Sequence, residues 1–173
     1  IKTTTDGYVT DVITNKSINW LDSRDKNKPF SLLIHHKAAH RVWMPKITDF
    51  DLFDSINFKI PETFFDDYTG KVAADHQEMS IDKDMDLVYD LKMLDAQGEI
   101  KTKYRYMFEN MIAQLTPEQR KAWDSYYNPI IEAFKKSGLK GKELVLWKYK
   151  RYMQDYLRCI YALDLNVGRI LDY

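Results

Sequence analysis

From Gly141 to Tyr173 the chain has no proline and, between Gly141 and Gly168, no other glycine. Nothing in that stretch stops a helix, and at 1.5 Å per residue it predicts one about 45 Å long. Tyr149, Tyr152, Met153, Tyr156, Leu157, Ile160 and Tyr161 recur at helical spacing and predict its apolar side. The whole chain of 173 residues holds 6 Gly and 5 Pro, so few breakers interrupt it anywhere. A helix this long, still running where the sequence stops, leads us to expect a piece of something larger. Hydrophobic residues make up 45% and charged residues 30%, which disfavours disorder. No apolar run approaches the roughly 20 residues that cross a bilayer.

Other helices announce themselves by their ends. Thr116-Pro-Glu-Gln119 places a capping threonine, a proline at the first helical position and a glutamine three residues on. Trp123, Tyr127, Ile130, Ile131 and Phe134 then predict a buried face, Pro129 predicts a kink or a split, and Gly138 a stop. Thr10 is read as the cap of a helix starting at Asp11. Further helices are expected over 84–95 and 101–115. Residues 41–80 read as irregular, yet Trp43, Phe50, Phe53, Phe58, Phe64, Phe65 and Tyr68 anchor them too well for a floppy linker.

Between Pro29 and Lys37 lies a short apolar run, Phe30 to His36. It fits a buried strand of a parallel sheet. In open α/β sheets ligands bind beyond the carboxyl ends of such strands. His35, His36, Lys37, His40 and Arg41 crowd that end. They suit a sulfate, phosphate or carboxylate, or they cap the strand and bond loop backbone. Zinc is disfavoured, because Lys37 stands where a zincin helix carries its glutamate.

Lys and Arg equal Asp and Glu at 26 each, so net charge gives no reason to expect nucleic acid or an anionic membrane as partner. Residues 1–100 carry −6 and residues 101–173 carry +6, read as solvated faces. The single cysteine, Cys159, excludes an internal disulfide and reads as a core hydrophobe. Asp49, Asp51, Asp54, Asp66 and Asp67 match no EF-hand spacing and read as a solvated acidic loop.

Taken in order, Gly7-Tyr-Val-Thr-Asp11, Lys28-Pro-Phe30, the apolar run, His36-Lys-Ala-Ala-His40, Ile60-Pro-Glu-Thr-Phe-Phe-Asp-Asp-Tyr68 and Ala162-Leu-Asp-Leu-Asn-Val-Gly-Arg-Ile-Leu-Asp-Tyr173 resemble the middle of a type I, formylglycine-dependent sulfatase of the alkaline phosphatase-like superfamily. The resemblance implies an α/β class: part of an α/β/α sandwich, helix-dominated here, with one or two core strands. It implies residues 1–40 as helix plus core strand, 41–100 as a substrate-side insert and 101–173 as a helical portion of one catalytic domain. It implies calcium in the full enzyme, with ligands outside this stretch, and a periplasmic or secreted location. His40 is the position matching the family's sulfate-contacting acid, and Lys37, Arg41 and Trp43 are candidates for gripping sulfate or sugar.

No Cys/Ser-x-Pro/Ala-x-Arg motif occurs, and Cys159 is followed by Ile-Tyr-Ala. Nucleophile and metal ligands would therefore lie elsewhere, and the stretch alone is expected to be inactive. Asp164 and Asn166 lie on the last helix and are not read as metal ligands. The expected partners are a sulfated carbohydrate, such as an N-acetylglucosamine 6-sulfate, and the remainder of the sulfatase chain. The alternatives are a phosphatase or phosphodiesterase of the same superfamily, or a non-catalytic helical binding domain.

Overall fold

The computed structural model describes residues 5–173. The described residues form five helices, α1 (Val9–Ser23), α2 (Val72–Asp75), α3 (Arg105–Ile112), α4 (Pro117–Ser137) and α5 (Gly141–Leu171), with a 3-10 turn at Ile47–Asp49. Among the described residues none of the helices is long and apolar enough to cross a membrane.

α4 begins as its sequence demands. The Thr116 hydroxyl accepts from the Gln119 amide at 3.3 Å, and the Gln119 side chain accepts from the Thr116 amide at 2.9 Å. Two of the orphan donors at the helix start are thereby satisfied. Gly138 closes the helix at φ 62°, a conformation glycine adopts without strain. Pro129 does not split the helix; the chain continues through it to Ser137. Trp123, Tyr127 and Ile131 face a core shared with Phe50, Val88, Leu91, Met93, Phe108 and Ile112.

α1 and the last third of α5 lie side by side and run in the same direction. Asp11 meets Asn166 at 2.7 Å, Asn15 meets Arg169 at 2.5 Å and Asp22 meets Tyr173 at 2.7 Å. α1 starts at Val9 with Tyr8 at its N-cap, so Thr10 is a buried residue of the first turn and not the cap.

Three expectations are corrected. Residues 30–36 form no strand; they are extended but unpaired, with Leu33 80% and Phe30 50% exposed. A strand exists only through a ladder partner, and no other strand is present among the described residues. Residues 84–95 are turns, because Asp86 takes the amides of Val88 and Tyr89 at 2.9 and 2.7 Å and Lys92 sits at φ 62°. Short acidic side chains compete with the helix in this way. The helix expected over 101–115 covers only Arg105–Ile112.

The buried side of α5 also differs from its apolar pattern. Lys148, Arg151, Gln154, Asp155, Arg158, Cys159, Ala162 and Asn166 are buried, while Tyr149, Tyr152, Met153 and Tyr156 are half-buried and Tyr161 is exposed. This face is a polar core. Asp155 is fully buried and faces Arg158 at 2.8 Å, Lys92 at 3.1 Å and Arg151 at 3.5 Å. Arg158 also reaches Asp54 at 2.6 Å and the Leu52 carbonyl at 2.9 Å, and Lys148 caps the carbonyls of Asp82 and Met85. The loops wrapped on α5 thus turn their backbone inward, and the cations on α5 satisfy it.

Three cations around one carboxylate leave an imbalance. They hold the Asp155 carboxyl below its usual range despite burial, whereas burial pulls Lys92 below its usual value although Asp155 opposes the shift.

Candidate functional site

The extended run delivers the chain to a turn in which the His40 amide donates to the Lys37 carbonyl at 2.8 Å. Beyond it the backbone is pinned at three places. The Trp43 indole donates to the Ala39 carbonyl at 3.1 Å. The Tyr8 hydroxyl, at the start of α1, donates to the Met44 carbonyl at 3.2 Å. The Arg41 guanidinium makes a two-pronged pair with Asp90, Nε to Oδ1 at 2.5 Å and Nη2 to Oδ2 at 2.6 Å. α1 and the 86–104 turns therefore both hold the segment that carries His40.

His40 itself is exposed, and its Nδ1 lies against the Arg41 carbonyl oxygen. A carbonyl only accepts, so Nδ1 is the protonated nitrogen. That leaves Nε2 as the nitrogen free to exchange a proton with whatever occupies the space in front of it. One nitrogen engaged by backbone and the other open is an arrangement that acid–base chemistry can use.

The other candidates have separated roles. Lys37 and His35 are exposed beside the turn. His36 is half-buried, burial lowers its pKa, and its Nδ1 has no hydrogen-bond partner. Trp43 is half-buried edge-on to Tyr152 and Tyr156, with centroids 4.7 and 6.5 Å away, so it braces the turn against α5. Arg41 leans over Tyr89 and Tyr104 at 5.5 and 6.0 Å. Its fork is committed to Asp90, which raises its pKa.

The sequence reading missed Asp90, Tyr8, Tyr89 and Tyr104. Asp90 ends the run Asp82, Asp84, Asp86, Asp90, whose members look alike in sequence. Only the fold leaves Asp90 1% exposed opposite Arg41.

Three of the loop carboxylates are occupied as well. Asp54 pairs with Arg158, Asp66 with Lys71, and Asp67 accepts the Thr69 amide at 2.9 Å. Among the described residues no group of three His, Cys, Asp or Glu side chains is arranged to hold a metal ion. The calcium that the sulfatase resemblance implies therefore finds no ligand set among these residues.

The resemblance read from the sequence holds along nearly all of the chain. Over 168 residues, 96% of its length, the chain is 42% identical to an N-acetylglucosamine-6-O-sulfatase of Bacteroides thetaiotaomicron. It also matches a solved structure of a protein in complex with its substrate D-glucosamine-2-N,6-O-disulfate, with a TM-score of 0.87 and 42% identity, over 98% of this chain. The chain spans 30% of that relative and 34% of that solved chain. No protein-family model matches it.

Proposed function

We propose that these residues form one wall of the active site of a sulfuric ester hydrolase that removes sulfate from a glucosamine sugar of a sulfated glycosaminoglycan. The observation that carries this reading is the match, at a TM-score of 0.87 over 98% of the chain, to a protein bound to a 6-O-sulfated glucosamine. The relative named for 6-O-sulfatase activity supports the same substrate class.

In this reading the nucleophile is a formylglycine supplied by the rest of the enzyme, where calcium is also held within an α/β/α sandwich. What this wall contributes is proton transfer. A sugar alkoxide is a poor leaving group and needs a proton as the S–O bond breaks. His40, with Nδ1–H spent on the Arg41 carbonyl, donates from Nε2 when the ring is charged, and the charged ring also attracts the sulfate oxygens. Lys37, exposed on the same turn, adds a second cation toward the anion. Arg41 and Trp43 shape the turn from behind.

The run Phe30 to Ile34, in which Phe30 and Leu33 are exposed, has the composition of a central strand, and the remainder of the sulfatase chain is the partner that would pair it into a sheet. By the same resemblance the enzyme works in the periplasm or outside the cell.

The test is sulfate release from N-acetylglucosamine 6-sulfate by the full-length enzyme. His40→Ala is expected to lower kcat/KM at least ~100-fold. A loss below about tenfold removes His40 from the acid role.

A further inference from the structure

Asp90 lies outside every motif of the resemblance, yet it is a deeply buried carboxylate beside the histidine turn. It is 1% exposed and accepts three hydrogen bonds: two from the Arg41 fork and one from the Asp86 amide, which reaches Oδ2 at 2.7 Å. Its own carbonyl is fixed by the Lys92 ammonium at 2.7 Å. Asp86 is anchored in turn, taking the Thr102 hydroxyl at 2.6 Å as well as two amides of its own turn. The carboxylate is therefore rigid before Arg41 arrives.

Arg41 is tied at both ends. Its side chain is clamped by Asp90, and its backbone carbonyl is the acceptor for His40 Nδ1. One residue thus carries both the clamp on Asp90 and the acceptor that faces the imidazole. We propose that Asp90 is a positioning residue of the sulfatase site, acting through Arg41 to hold His40 in the tautomer and orientation that present Nε2 to the substrate. The inference rests on the reading of His40 as proton donor. It makes Arg41 a strut and not a ligand of the sulfate, since two of the three guanidinium nitrogens are used on Asp90. The logic is that of an outer partner fixing a functional histidine, where loss of the partner costs about 10- to 100-fold.

Steady-state kinetics on N-acetylglucosamine 6-sulfate with the full-length enzyme tests it, using Asp90→Asn alone and combined with His40→Ala. Asparagine keeps the shape and one acceptor but loses the charge that draws the fork. In the parent background kcat is expected to fall ~10- to 100-fold with KM within about threefold. In the His40→Ala background the same change is expected to cost less than about twofold, because nothing remains to position. A merely structural role lowers both backgrounds by the same factor, and that result overturns the proposal. So does a parent-background loss below twofold while His40→Ala is severely impaired. If His40→Ala stays within tenfold of the parent, the His40 reading falls and takes this inference with it. Should Asp90→Asn not fold, Arg41→Gln breaks the same pair from the side chain that is 41% exposed, and the same comparison of backgrounds decides.

Discussion

Replacing Asp155 by alanine removes the single carboxylate that three buried cations share. At an effective dielectric near 20, charges 2.8–3.5 Å apart attract by about 5 kcal/mol each, before desolvation and the mutual repulsion of the cations are charged against them. Arg158 keeps Asp54 and the Leu52 carbonyl, and Arg151 keeps Gln154 at 2.8 Å. Lys92, 0% exposed, keeps only the Asp90 carbonyl. The stranded group is therefore the lysine, and its escape is to lose its proton. Breaking a buried pair from one side costs about 3–5 kcal/mol, and the deprotonation route places Asp155→Ala near the lower end.

That loss is a large share of the roughly 5–15 kcal/mol that holds a domain together. Urea unfolding of the full-length protein followed by tryptophan fluorescence measures it. Adding Lys92→Met should recover about 1–2 kcal/mol, since the unpaired charge is gone. The pH dependence has a definite sign. Asp155 has a folded pKa below its unfolded value near 3.9, so its contribution is present above that value and fades as pH falls toward the folded pKa. Asp155→Asn should flatten the acid limb of the stability curve. An Asp155→Ala cost under 1 kcal/mol, or a double mutant that is additive within about 0.5 kcal/mol, refutes the account.

Two further outcomes are expected. Leu33→Asp should barely alter a 173-residue polypeptide, in which Leu33 is 80% exposed, yet destabilise the full-length enzyme by about 2–3 kcal/mol once neighbouring strands cover it; equal midpoints in the full-length pair would mean that the run is not a buried strand. Cys159 is 3% exposed and its thiol is pushed up to about 11 by burial, so about one molecule in ten thousand carries the thiolate at pH 7. An aromatic disulfide reagent should label it only after unfolding, and stoichiometric labelling of native protein within minutes would contradict its burial.

Where local chemistry decides, the sequence was readable. The Thr116–Gln119 box, Gly138 and the unbroken run after Gly141 set the ends of α4 and α5, because caps and breakers act within a turn of the backbone. His40 is singled out for a different reason, its place in an ordered set of motifs. What sequence could not decide depended on distant partners. The run Phe30 to His36 has strand composition, but a ladder needs a second strand. α5 carries an apolar stripe, yet buries its cations, because loops 49–54 and 81–95 bring carbonyls and carboxylates to them. By sequence Arg41 is only a candidate for gripping sulfate, and its pairing with Asp90, 49 residues away, could not be read there. The sequence alone determined the capped start and glycine stop of α4 and the unbroken course of α5. The tertiary structure decided which charges are paired, because a pairing is a property of two segments, and neither one encodes the position of the other.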